Sequence, residues 1–559
     1  MADGIGIEFT ETMRGYLSLN EHENYERGHD RGCDDGSPFE FTVTVSADNL
    51  DRFFDDPAHQ AALSGTVTAP ALSDEPLQVN GGSFHLFQQD PERVMTRRMN
   101  YHMPLKAADG RSFFLEGHKI IHDDHGFDMW RDTTTLFVTL HEGDDVDGPV
   151  AGKGIVRILP ADFRRQLCSM KAVNAGSKLE ELKALSRFGR FFAGVLFDLY
   201  GGIFARPNVF NPDAPPRERR PLRCGDPEIH LFTTEDGVQL KLSRYQGGSR
   251  GPVILTPGFG TSALAFTIDT TDTNFPEYLF ERGYDVWVFD YRASPDLPSA
   301  GTQFTLDDVA TKDYPAAVKK VLSETGADDL QVMAHCVGSQ TLLMSLLSGL
   351  EGVRSAVSSQ LTLHPVAPPL NRIKAGLDLA NFLTVLGVDT LSTDFDTRSN
   401  WTDRMYDKLL RLYPTKERCN SPVCRRILFM YGEVYDHSQL NEATHAAIHE
   451  MFGVANLTTF KQISRMLKAG QVVSADGEDC YLPNYERLKL PITFVHGENN
   501  RLFLPEGSLK TYEFLCDRNG TEYYDRIVFP GYAHMDCFLG RNADRDVYPQ
   551  VTAALDAYN

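Results

Sequence analysis

Residues 328–349 read DDLQVMAHCVGSQTLLMSLLSG. The apolar run LQVMAH is strand-like and short, CVG is a turn, and TLLMSLL resumes with helical character, so the stretch predicts a buried strand, a sharp turn and a helix. A strand that enters a helix through a tight turn presents one side chain above the sheet, beside the helix's free N–H groups. Position 336 occupies that elbow. The usual pattern there is Gly-x-Ser-x-Gly, and this chain has Ala334-His335-Cys336-Val337-Gly338. A small apolar cysteine packed under a turn is the alternative reading for any single Cys. The elbow favours a nucleophile, and a thiol at a helix N-terminus near a histidine is expected to have a lowered pKa.

Three other strand-like runs surround it: GPVILTPGFG at 251–260, YDVWVFDYR at 284–292 and PITFVHGEN at 491–499. Helical stretches such as YPAAVKKVLSET separate them, and the alternation predicts a parallel, doubly wound sheet with ligands at the carboxyl ends of its strands. The remaining site candidates lie at those ends. His534, in YAHMDC, follows the nucleophile in the chain order this architecture requires and is the candidate base. Asn500 stands at the offset of the residue that would orient His534, with Glu498 as the alternative orienter. The backbone N–H groups of Val337 and Phe259 are the candidate oxyanion hole.

Residues 38–160 follow a different periodicity. FEFTVTVSA, RRMNYHMPLKA, RSFFLEGHKII and TTTLFVTLHEG alternate with period two between Gly, Asp, Asn and Pro breaks, which predicts an antiparallel sheet closed as a barrel or paired as a sandwich. The expected organisation is a β-rich domain over 1–165, a helical segment with a Pro- and Arg-rich linker over 166–224, and the α/β domain over 225–559. In the first domain Trp130, Arg131 and Asp132 read as structural. His118, His122 and His125 lie close in sequence without needing to converge on a metal.

A formal net charge of −22 over 559 residues excludes a nucleic-acid partner, since phosphate binding needs clustered cations. No run approaches the roughly 20 apolar residues of a membrane span. FGRFFAGVLFDLYGGIF is interrupted by Arg190 and Asp198 and reads as a packed amphipathic helix. The start lacks a basic and then apolar leader, and the nine cysteines read as reduced thiols, so a cytoplasmic location is expected. Cys419 and Cys424 in CNSPVC have no second Cys pair, and no metal is expected there.

These blocks give residues 225–559 a resemblance to α/β-hydrolases of the acid-lipase group, gastric and lysosomal in type. TTEDGVQLKLSRY, ERGYDVWVFDYRAS and YAHMDCFLGRNA carry it, and LNEATHAAIHEMFGVANLTTFKQISRMLKAG is similar to that group's cap region. The resemblance implies an α/β-hydrolase fold, mostly parallel, with a helical cap over about 366–475. DMWRDTTTLFVTL, HGENNRLFLPE and GYAHMDCFLGRNADRDVYP further resemble the C-terminal region of large bacterial fusions whose N-terminal part is a cholesterol-oxidase-type flavin oxidoreductase. No Gly-x-Gly-x-x-Gly follows a strand near the start, so no flavin or other cofactor is expected in this chain. The likeness suggests a sterol-like or otherwise lipophilic small-molecule substrate, a partner flavin oxidoreductase and a possible homo-oligomer. An elbow cysteine also occurs in dienelactone hydrolases and polyhydroxyalkanoate synthases. Three functions follow: a cysteine acyl hydrolase acting on a lipophilic ester or lactone, an acyltransferase using an alcohol, amine or thiol acceptor, and a non-catalytic lipid- or steroid-binding protein on a degenerate hydrolase fold.

Overall fold

The computed structural model describes residues 4–122, 129–201, 204–369, 389–413, 415 and 419–559. The chain forms two compact units, Met1–Asp90 with Met95–Arg206, and Pro91–Val94 with Pro207–Asn559.

The first unit is an antiparallel barrel. Its strands are β1 (Gly6–Ser18), β2 (Pro38–Ala47), β3 (Gln60–Thr68), β4 (Leu77–Gln89), β5 (Arg97–Lys106), β6 (Ser112–Ile121), β7 (Thr135–Glu142) and β8 (Val150–Arg157), with β9 (Lys171–Val173) added at the edge of β1. Neighbours pair in sequence order from β2 to β8, and β1 closes the ring by pairing with both β8 and β2. Sequence reading passed over β1, whose GIEFTETMRGYLS alternates buried and half-buried positions like the other strands. Period two sends Met13, Phe41, Val43, Met103, Leu115 and Val138 inward, all with no exposed surface. Helix Lys178–Tyr200 is capped by Ser177, whose side chain accepts from Glu180 N–H, and sets Ala184, Phe188 and Leu199 into the same core. The helix read from FGRFFAGVLFDLY therefore belongs to this unit.

The second unit is an eight-stranded sheet. In chain order its strands are β10 (Glu228–Thr233), β11 (Gln239–Tyr245), β12 (Pro252–Thr256), β13 (Asp285–Asp290), β14 (Leu330–His335) and β15 (Val353–Ser359). After an insertion that contains the short pair β16 (Thr390–Ser392) and β17 (Val454–Asn456) come β18 (Ile492–Gly497) and β19 (Tyr524–Phe529). The spatial order is β10-β11-β13-β12-β14-β15-β18-β19, antiparallel over the first two pairings and parallel from β13 onward. Every residue of β12, β13, β14 and β18 is buried, the composition a strand needs when both faces of its sheet are covered. The expected cap, 366–475, falls inside the insertion between β15 and β18, and its residues 370–388, 414 and 416–418 lie outside the described residues.

The Pro- and Arg-rich stretch 206–223, read as a linker, is tied down by its cations. Arg217 is bonded to Asp269 and Glu450, and Arg220 makes a two-pronged pair with the fully buried Glu277. Among the described residues no helix is long and apolar enough to cross a membrane.

Candidate active site

β14 ends at His335, and Cys336 then takes φ 55° and ψ −126° before the helix Val337–Leu347 begins. A non-glycine residue in that region stores on the order of 1–3 kcal/mol of backbone strain, which the surroundings must hold. They do so on two sides. Cys336 N–H donates to Ser359 O at 2.9 Å, and Gly338 lies so close to the Pro257 carbonyl that a Cβ there would overlap it. The loop after β12 thus sits against the elbow, and the Val337 and Phe259 backbone N–H groups both bond the Cys336 sulfur. Burial pushes the thiol up to about 12, and these two N–H groups pull it only part of the way back. The expected low-pKa thiolate is therefore overturned. The helix N-terminus is present, but no cationic side chain among the described residues stands against the sulfur to offset its loss of water.

His534 is buried, and its acidity as imidazolium is strongly enhanced, first by burial and then by His335 and His496, so the ring is neutral. The His335 ring lies 4.7 Å away, centroid to centroid. Asn500 Nδ2 is 2.9 Å from His534 Nδ1. The donors around Asn500 decide which of its amide atoms faces the ring: Leu502 N–H and Phe503 N–H both donate to Oδ1, at 2.9 and 3.0 Å, so the nitrogen must point the other way. There Nδ2 donates to Gln360 Oε1 at 2.9 Å, an oxygen identified in turn by the N–H it receives from Gly497. His496 Nε2 donates to the Phe503 carbonyl, so it has no lone pair to offer Asn500. The second Nδ2 proton goes to His534 Nδ1. A neutral imidazole that accepts at Nδ1 carries its proton at Nε2. His534 Nε2 is buried without a hydrogen-bond partner among the described residues. In this tautomer it is a donor, whereas a general base needs its lone pair there.

Residues 251–541 match the family model described as the alpha/beta hydrolase fold. The chain belongs to that family. Similar curated proteins include lipase lipl-1 of Caenorhabditis elegans, 23% identical over 390 residues that cover 61% of this chain and 93% of the relative. Triacylglycerol lipase 2 of Arabidopsis thaliana is 24% identical over 362 residues, 58% and 83% respectively, and gastric triacylglycerol lipase of Bos taurus is 22% identical over 362 residues, 59% and 87%. Among solved structures, a carboxyl esterase from Bacillus coagulans aligns over 59% of this chain and 98% of its own at 15% identity and a TM-score of 0.40. The protein is an α/β-hydrolase enzyme, lipase-like in sequence.

In this hydrolase, Cys336, His534 and Phe259 line one partly open pocket, together with Tyr431, Phe452 and Phe538. Asn500 stands behind His534. Glu498, the alternative orienter, is exposed and accepts from Gly531 N–H instead. Sequence reading missed Gln360, His335 and His496. Gln360 follows β15 with φ 71°, a backbone outlier that pattern reading does not reveal, and His335 precedes Cys336 without any spacing that marks it.

Elsewhere, Asp132 accepts from the Tyr200 hydroxyl at 2.6 Å and Trp130 packs edge-on against Phe163, contacts that tie the helix Met129–Thr134 to the helices Lys178–Tyr200 and Pro160–Ser169. His118 packs against Tyr25 and Phe137, His122 contacts Thr96 Oγ1, and His125 lies outside the described residues. Cys419 and Cys424 have no second cysteine pair, but two histidines stand beside them. They are His437 and His445, brought in by chain folding that a search for paired cysteines does not see.

Proposed function

We propose that the protein is a cysteine acyl hydrolase that works on a lipophilic, sterol-like ester or lactone through a thioester at Cys336. The observation that carries the reading is the pair of backbone N–H groups, Val337 and Phe259, directed at the sulfur of a strained elbow. A carbonyl carbon bonded to that sulfur leaves its oxygen beside the same donors, an arrangement worth several kcal/mol of barrier when the donors are fixed in advance. Sγ attacks the carbonyl carbon as its proton passes to His534 Nε2. Collapse of the tetrahedral adduct expels the alcohol, which takes that proton. Water then attacks the thioester, again with His534 as base, and releases the acid with the thiol restored.

Each of these proton transfers needs the His534 tautomer with its hydrogen at Nδ1. Asn500 as bonded here disfavours that tautomer, because two N–H groups would face each other. Turnover is accordingly slow, with Asn500 and the raised thiol pKa as the two brakes. The lipase relatives support an ester substrate and the aromatic wall supports an apolar one. The same wall favours a second reading, acyl transfer to an alcohol, amine or thiol, because a pocket that excludes water leaves the thioester for another acceptor. The nine cysteines form no disulfide, which supports a reducing compartment, the cytoplasm.

The test is intact-mass analysis after incubation with p-nitrophenyl esters, lactones and acyl thioesters, with and without alcohol acceptors. An acyl adduct on Cys336 that is absent in Cys336→Ala is expected, and the products separate water from other acceptors. Unchanged turnover in Cys336→Ala would sink the thioester route.

A further inference from the structure

The insertion between β15 and β18 holds a second group of reactive side chains, spaced C-x4-C-x12-H-x7-H: Cys419, Cys424, His437 and His445. They come from separate pieces of backbone. Cys419 precedes the helix Pro422–Met430, Cys424 lies in its first turn, His437 opens the turn His437–Gln439, and His445 sits in Glu442–Ala446. One donor atom from each nevertheless lies within 4.8 Å of all the others. A tetrahedral ion with metal–sulfur bonds of about 2.3 Å and metal–nitrogen bonds of about 2.0 Å sets its donors roughly 3.3–3.8 Å apart, so only a small contraction is needed.

We propose that these four residues form a structural zinc site. Cys424 Sγ is 3.2 Å from His445 Nε2, and the Tyr435 hydroxyl donates to the same sulfur at 3.0 Å. A hydroxyl hydrogen bond onto a ligating sulfur is the outer contact that steadies a bound thiolate. Cys424 and His445 are buried, and Cys419 and His437 are half-buried. Binding releases the two thiol protons to solvent, and two thiolates with two neutral imidazoles cancel the charge of Zn²⁺, which suits a buried position. Four protein ligands leave no open position for a substrate, so the ion is structural rather than catalytic.

The site has a consequence for the pocket, and this part rests on the function proposed above. Tyr431 and Val434 lie on the chain between the second and third ligands, and both line the pocket at Cys336. Val434 O accepts from Met535 N–H at 2.7 Å, one residue after His534. The ion closes the 419–445 segment on itself and holds that wall in place.

The full-length chain, purified without metal-affinity resin, is expected to contain about one zinc per molecule by plasma mass spectrometry. Cys424→Ser and His445→Gln are expected to lose it, while Cys480→Ser, at an exposed cysteine outside the cluster, keeps it. Because a ligand variant can also lose metal by failing to fold, chelator-treated wild type is refilled with Co²⁺. The expected absorption is that of tetrahedral cobalt with thiolate-to-metal charge transfer. Wild type that takes up neither metal, or that carries a Cys419–Cys424 disulfide two hydrogens lighter, overturns the site, as does zinc retained in both folded ligand variants. Removing the metal is expected to raise KM for long-chain esters about threefold or more while the Cys336 alkylation rate stays within about twofold. Equal KM values with and without metal overturn the role in the wall but not the site, and metal content is read without any activity.

Discussion

Asn500→Asp tests the tautomer argument directly. A carboxylate keeps the Oδ1 acceptor for Leu502 and Phe503 N–H and presents a second oxygen to His534 Nδ1, which then holds the proton and frees Nε2. Loss of that tautomer in a hydrolytic triad costs about 10⁴ in rate, so restoring it has a ceiling of that size. The gain is reduced by Gln360, whose Oε1 now accepts from Asn500 Nδ2 at 2.9 Å. Against Asp the two oxygens repel, and turning the Gln360 amide forfeits its bond from Gly497 N–H and its contact with Cys537 Sγ. One unsatisfied buried polar group costs about 1–3 kcal/mol. The expected outcome is kcat/KM up by roughly 10²–10⁴ on p-nitrophenyl esters, with a loss of about 1–3 kcal/mol in urea unfolding. Nitrogen-15 NMR of the His534 ring reads the cause, since wild type should show an unprotonated Nδ1 and the variant a protonated one. A folded variant with Nδ1 protonated and no gain in rate would refute the reasoning.

Iodoacetamide labelling of Cys336 should rise about tenfold per pH unit from pH 7 to 10 without a plateau, because the thiol is pushed up to about 12 and its thiolate fraction grows over that whole span; a plateau below about pH 9 contradicts the burial argument. In the barrel core, Glu11 accepts from the Tyr101 hydroxyl at 2.8 Å and from Lys119 Nζ at 3.4 Å, with Lys119 only 1% exposed. Glu11→Gln is expected to cost about 3–5 kcal/mol at pH 7, because it leaves a buried ammonium uncompensated. Burial lowers the Lys119 pKa, opposed by Glu11, so in the variant the unfolded chain binds more protons and stability should climb between pH 7 and 10; a flat profile in urea titrations counts against it. Gly338→Ala forces a methyl into the Pro257 carbonyl and should destabilise by about 1–3 kcal/mol while lowering Cys336 acylation; an unchanged melting curve refutes the close packing at the elbow.

Much of the architecture was legible because it depends on local period. Strands β2 to β8 announce themselves by alternation and β12 to β14 by short apolar runs. β1 escaped because its polar Thr-Glu-Thr and Arg positions mask the alternation that only its strand partners reveal. At the candidate site, chain order pointed to Cys336, His534 and Asn500, since each follows a strand whose end the parallel sheet gathers at one edge.

What the sequence determined by itself is which groups can meet: a thiol on an elbow, an imidazole and an amide at neighbouring strand ends, two cysteines separated by four residues. Tertiary structure decided their state. Enclosure drives the Cys336 thiol toward neutrality although it sits on a helix N-terminus, because desolvation acts through all the surrounding atoms and the helix only through its first N–H groups. The Asn500 amide turns its nitrogen to His534 because Leu502 and Phe503 claim its oxygen, a choice made by backbone that curls back after the site residue. His437 and His445 join Cys419 and Cys424 through folding of the whole insertion. Spacing along a chain carries no record of dehydration or hydrogen-bond direction, and those two quantities set the chemistry here.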